Sequence, residues 1–155
     1  LRFEELLRKY GKDTVIQATR QLMDYTESMM RSEIAKIPVG EYFAEGFQDD
    51  DGRNRETKLP IKLCVRVTGD SVEVDLTGSS DQVPTAFKVP FDGSTKVAAY
   101  FAFRALLLDT YTNTDDIPQN EGSFRPITVT APLGSIFNPI SPAAAEARFA
   151  RSNAW

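Results

Sequence analysis

Asn120, Gly122, Arg125 and Asn138 fall within one stretch, Pro118 to Pro142, that mixes a β-branched run with closely spaced prolines and glycines. Arginine supplies a planar fork of donors suited to a carboxylate, and asparagine supplies donors and acceptors together. Asn120, Arg125 and Asn138 are therefore the substrate-binding candidates, for a ligand with a carboxylate or an imide-like ring. The competing reading is structural: Arg125 pairs with an acid and the asparagines satisfy turn amides. A second candidate is Thr77-Gly78-Ser79-Ser80, where Gly78 and Ser79 offer a flexible amide and a hydroxyl for cradling an anion. It has neither the lysine nor the helix start of a Walker loop. Asp75 just before it is either a strand-end carboxylate of a site or the polar side of a hairpin.

Asp49-Asp50-Asp51-Gly52 offers hard oxygen ligands, yet it fails the EF-hand spacing. With Gly52 at the sixth loop position, Phe47 and Lys58 stand where acids are required. The run reads as a solvated turn, and no metal ligand is assigned. The chain has no histidine, so it cannot by itself assemble a Ser-His-Asp arrangement or a His-containing metal site. Cys64, the single cysteine, lies in an apolar-alternating run and reads as a packing residue. It excludes a disulfide framework and favours a reducing, cytoplasmic compartment. Catalytic residues stay unassigned.

Local elements must position these groups. Phe3, Leu6, Leu7 and Tyr10 predict a short helix closed by Gly11. From Asp13 to Ile37, two adjoining apolar stripes predict a long helix covered by more than one neighbour: Val15, Ala18, Leu22, Tyr25 and Met29, beside Ile16, Met23, Met30, Ile34 and Ile37. Asp13 is placed to cap its start and Pro38 to end it. Strands follow at Tyr42 to Phe47 and Leu59 to Thr68, and Gly69-Asp70 turns the second into Ser71 to Leu76 as a hairpin. Thr77 to Thr95 is irregular, Ser94 to Leu108 is a second main helix, Ile127 to Thr130 is a short strand, and Ala143 begins a third helix. The expected organisation is one partial domain: helical 1–37, strands and turns 38–93, helix 94–108, a Pro/Gly-rich strand segment 118–142 and a truncated helix 143–155. The fold class is α+β, a small and mainly antiparallel sheet packed against the two main helices.

The ordered set Pro118, Asn120, Gly122, Phe124-Arg125-Pro126-Ile127, Pro132, Gly134-Ser135 and Asn138-Pro139 resembles the hydantoinase B/oxoprolinase family. Phe3 to Tyr10 with Gly11, Gly40-Glu41-Tyr42, Asp51-Gly52 and Val74 to Ser80 continue the resemblance upstream, and Pro142-Ala143-Ala144 and Arg148 continue it downstream. Lys88 departs from it, standing where many members carry an asparagine.

The resemblance implies part of a longer chain acting as an ATP-dependent amidohydrolase that opens a cyclic amide or imide of the 5-oxoproline or hydantoin type. It implies ATP with a divalent cation for the whole enzyme, bound outside this segment, and a hydantoinase A-type subunit or domain as partner. Activation by phosphorylating the carbonyl oxygen is the implied chemistry. The alternatives are an ATP-dependent ketone carboxylase component of the same family, or a docking segment with no catalytic atom. The net charge of -4 and the lack of a Lys/Arg cluster exclude a nucleic-acid surface, and no apolar run is long enough for a membrane span.

Overall fold

The computed structural model describes residues 2–108 and 117–145. Helix α1 (Arg2–Tyr10) abuts α2 (Lys12–Ile34) through Gly11 alone, whose φ of 81° turns the chain between them. With no linker left over, Gly11 occupies the cap position without a side-chain bond, and Asp13 falls inside the first turn of α2 instead of capping it. The helix ends three residues earlier than its apolar stripe. Lys36 and Ile37 donate to Glu33 and Ile34 in tight turns ahead of Pro38, which disfavours helical geometry in the residue before it.

Strands β1 (Gly40–Gln48), β2 (Leu59–Thr68), β3 (Ser71–Asp75) and β4 (Ile127–Thr130) form one sheet in that order. β1, β2 and β3 are antiparallel neighbours, and Gly69 at φ 70° makes the β2–β3 hairpin turn. β4 pairs with β3 in parallel, Val72 opposite Ile127 and Asp75 opposite Thr130. Parallel neighbours need a crossover, and α3 (Lys96–Leu107) lies within it. A wide five-residue turn, Phe91–Thr95, feeds α3, with the Thr95 amide donating to the Pro90 carbonyl. The expected helix from 94 to 108 thus has its first turn unwound.

Alternation divides the sheet into two faces. Val67 of β2, Val72 and Val74 of β3, and Ile127 and Val129 of β4 pack with Met30 and Ile34 of α2 and with partly buried residues of α3 in the main core. Ile61, Leu76, Val89, Ile136 and Phe137 form a second cluster beneath the carboxyl ends of β3 and β4. On the opposite face Arg66 bridges Glu41 and Glu73, and Lys62 pairs with Glu45. The result is the expected α+β layer of a mainly antiparallel sheet on two helices. Burial along α2 begins at Thr26; upstream, Ile16, Leu22 and Tyr25 are exposed. The helix expected from Ala143 falls almost wholly outside the described residues, and Ala143 to Ala145 have no regular structure.

Candidate functional site

The candidates divide between the two ends of β4. At its amino end, a short 3-10 turn, Glu121–Phe124, is seated on α2. Asn120 opens the turn, its Oδ1 accepting from the Gly122 amide at 2.8 Å and from the Thr26 hydroxyl at 2.6 Å. Its Nδ2 is buried without a partner among the described residues. Gly122 is required by space: a Cβ there would stand 2.0 Å from the Met23 carbonyl oxygen. Phe124 stacks on Tyr100 of α3, ring centres 4.6 Å apart and 9° from parallel. The turn is thereby held between both main helices.

Arg125 closes this end. Its Nη1 donates to Asp24 at 2.8 Å and to Glu27 at 2.9 Å, while Nη2 lies 3.9 Å from the Met23 sulfur. Glu27 also receives two bonds from Arg31, which reaches on to Asp70 in the hairpin turn. Hydrogen bonding from Arg125, then from Arg31, holds the Glu27 carboxyl below the ordinary carboxylate range. The pairing acids lie about a hundred residues away in sequence. The Arg125 side chain is 40% exposed.

At the carboxyl end of β3 and β4 the chain makes two interlocked loops. Gly78 has a φ of 88°, and the Ser79 hydroxyl both accepts from the Lys62 amide and donates to the Lys62 carbonyl, each at 3.0 Å. Ser79 thus continues the ladder of β2 with its side chain. Ser80 accepts from the Ile136 amide, Gln82 donates to the Gly134 carbonyl, and Asp81 and Asn138 both bridge to Ser135. Asn138 is in this way brought to the same end of the sheet as Gly78 and Ser79. Its Nδ2 donates to the Ala131 carbonyl at 3.0 Å, and its Oδ1 has no partner among the described residues. Asp75 accepts from the Thr77 side chain and amide, which keeps its carboxyl below the usual range.

Four residues of β4 at about 3.3 Å each put roughly 10–13 Å between the two ends. Asn120 and Arg125 share one end and Asn138, Gly78 and Ser79 the other; no small ring spans both.

Lys88, the departure from the family pattern, is buried and donates its ammonium to the Val83 and Thr85 carbonyls. It works as a clip for its own loop. Asp50 and Asp51 spend their carboxylates on the amides of Gly52, Arg53 and Asn54, as a turn requires. Among the described residues no group of three or more His, Cys, Asp or Glu side chains is placed to hold a metal ion. The Thr77–Ser80 turn opens no helix, so the residues present do not fit a nucleotide phosphate with its cation. Also among them, no helix is long and apolar enough to cross a membrane.

Sequence reasoning missed Thr26 and the close seating of Gly122. The signal for Thr26 was present, since it falls between Met23 and Met30 on an apolar stripe where a hydroxyl needs a partner. Gly122 carried none, because its neighbours are remote in sequence.

The family model for hydantoinase B/oxoprolinase matches residues 1–154. The chain belongs to this family. It is 45% identical over 99% of its length to a protein of Pseudomonas sp. (strain NS671) provisionally named as the B-type subunit of a D-/L-hydantoinase, and spans 26% of that protein. It is 24% identical to 5-oxoprolinase 1 of Arabidopsis thaliana, over 91% of this chain and 11% of that one. Among solved structures it superposes on an ATP-dependent caprolactamase from Pseudomonas jessenii with a TM-score of 0.68 and 24% identity, covering 92% of this chain and 23% of the other. It superposes on a nucleotide-free acetone carboxylase with a TM-score of 0.73 and 16% identity, covering 92% and 20%. At these identities the two superpositions establish the fold. The chain spans about a quarter of the B-type hydantoinase protein it matches.

Proposed function

We propose that this member of the hydantoinase B/oxoprolinase family is a segment of an ATP-dependent amidohydrolase that opens a cyclic amide or imide of the hydantoin or 5-oxoproline type, working with a hydantoinase A-type partner. The observation that carries the reading is the 45% identity to a B-type hydantoinase protein along the whole chain. A B-type name implies a companion of another type. ATP and its cation are assigned to parts of the assembly other than the described residues.

Within that enzyme the segment supplies a rigid wall. Asn138, with Gly78 and Ser79, is proposed to face the substrate: its Oδ1, without a partner among the described residues, suits a ring N–H, and its Nδ2 is pinned to the Ala131 carbonyl, which fixes the amide plane. Arg125 and Asn120 are proposed to act from the other end of β4. Asn120 positions the wall through Thr26, and the partly exposed Arg125 is available to a carboxylate.

The test is ATP-dependent turnover of hydantoins, 5-oxoproline, a simple lactam and acetone with bicarbonate by the full polypeptide with its A-type partner. Ring opening of the cyclic amides is expected, with Asn138→Ala raising KM by about tenfold for loss of one hydrogen bond. Turnover of acetone alone would overturn the amidohydrolase reading. Unchanged kinetics in Asn138→Ala, Arg125→Ala and Asn120→Ala together would remove the wall from the substrate.

A further inference from the structure

α3 is apolar on almost every side, yet none of its residues is fully buried. Val97, Phe101 and Leu106 are 59%, 71% and 79% exposed. A helix of this composition is stable when covered all round, and contiguous exposed apolar surface marks an interaction face. Between α3 and the core face of the sheet lies an open cleft of about 250 Å³. Leu63, Val65 and Val74 form its floor, and Ala98, Ala102 and Leu106 form the α3 wall. Among the described residues no charged side chain lines it, so a phosphate, a nucleotide or a charged peptide finds no counter-ion among them. The alanines keep that wall low and leave room for inserted side chains.

We propose that this cleft and the adjoining outer face of α3 are filled by an uncharged, apolar segment of the same, longer polypeptide. The inference rests on family membership and fold and is independent of which substrate is turned over. Each matched part lies inside a single larger chain: it makes up 26% of the B-type hydantoinase protein, 23% of the caprolactamase chain and 20% of the acetone carboxylase chain. Most of such a chain is therefore tethered nearby, at the millimolar effective concentrations that intramolecular contacts enjoy over a separate partner. The uncharged lining selects an apolar inserting face.

The experiment uses the full polypeptide carrying Leu106→Cys, with Glu56→Cys in the exposed β1–β2 connection as reference. N-ethylmaleimide labelling is followed at the relevant peptide by mass spectrometry, so other cysteines do not interfere. Cys at 106 is expected to label about 100-fold more slowly than Cys at 56 in the native protein and equally fast in urea. Dilution of about tenfold and omission of the A-type partner are expected to leave the protection unchanged. Labelling within about threefold of the reference would overturn the proposal by showing an open surface. Protection lost on dilution would assign the face to a second copy, and protection needing the A-type partner would assign it to that protein; either result overturns the intramolecular occupant. Should Leu106→Cys fail to fold, Ala98→Cys gives the same reading. Ala102→Trp is an independent check: it is expected to lower the thermal midpoint of the full polypeptide by competing with the occupant, and a raised midpoint would mean that the cleft is empty.

Discussion

Gly122→Ala probes how closely the 121–124 turn is seated on α2. A Cβ on Gly122 would meet the Met23 carbonyl oxygen at 2.0 Å and Thr26 Oγ1 at 2.4 Å, whereas ordinary contact begins at 3.4 Å, so turn and helix must part by about 1.4 Å. Neither neighbour is a flexible tip. The carbonyl belongs to helix backbone, and the Thr26 hydroxyl is already held near the Met23 carbonyl and Asn120 Oδ1. Such a displacement breaks the 2.6 Å bond between Thr26 and Asn120. Overpacking costs about 1–3 kcal/mol, and loss of the hydrogen bond adds about 0.5–1.5 kcal/mol. Alanine returns roughly 0.4–1 kcal/mol by restricting the unfolded chain, which leaves a net loss of about 0.5–4 kcal/mol. At about 1.4 kcal/mol per decade, local opening becomes roughly 2- to 700-fold more frequent. Amide hydrogen exchange in the full polypeptide measures this at the Gly122 amide, bonded to Asn120 Oδ1, and at the Arg125 amide, bonded to the Gly122 carbonyl. Gly46→Ala is the control, because nothing lies within 4 Å of a Cβ there and its φ is not positive. Exchange at 122 and 125 no faster than in the parent, in a variant that folds, would refute the close-seating argument.

Arg125→Ala is expected to lower the denaturation midpoint at neutral pH only modestly, since the pairs with Asp24 and Glu27 are partly solvated. Glu27 is depressed in the folded protein, so its contribution is present above the unfolded value of 4.5 and is lost as pH falls through the lowered folded value. Parent and variant curves should therefore converge on acidification, and a gap that widens would contradict the assignment. Lys88→Met leaves the Val83 and Thr85 carbonyls without their donor and should cost about 2–4 kcal/mol in urea unfolding; a neutral result would show that water replaces the ammonium. Ser79→Ala removes both bonds to the Lys62 backbone and should cost about 1–2 kcal/mol; a KM effect beyond that loss would mark Ser79 as an anion contact as well.

The elements were largely legible because their signals are local. The β2–β3 hairpin needs only alternation around Gly69, and α2 needs only its stripes. Boundaries were lost where a tertiary contact or an irregular turn intervened. Asp13 is not a cap because Gly11 lets α1 abut α2, and α3 begins late because Phe91–Thr95 takes a wider turn. The residue types of the candidate groups were equally plain. Their commitments were not, since Arg125 pairs with Asp24 and Glu27 across the fold and Asn120 answers to Thr26.

Pairing direction decides which candidates share an end of the sheet. Had β4 run antiparallel to β3, Arg125 would stand beside Thr77 to Ser80, and one pocket would join the guanidinium to the anion-cradle turn. The parallel register of Asp75 with Thr130 instead sends Ala131 to Asn138 toward Ser79 and leaves Arg125 near the Gly69 hairpin turn. β4 alone cannot announce that direction: Ile127, Thr128, Val129 and Thr130 fit either ladder, and the choice follows from the path of the crossover through α3. The function of Pro118 to Pro142 is thus divided by its own strand. The part before Ile127 clamps the segment to α2, and the part after Thr130 locks onto the Ser80 to Gln82 loop at the carboxyl ends.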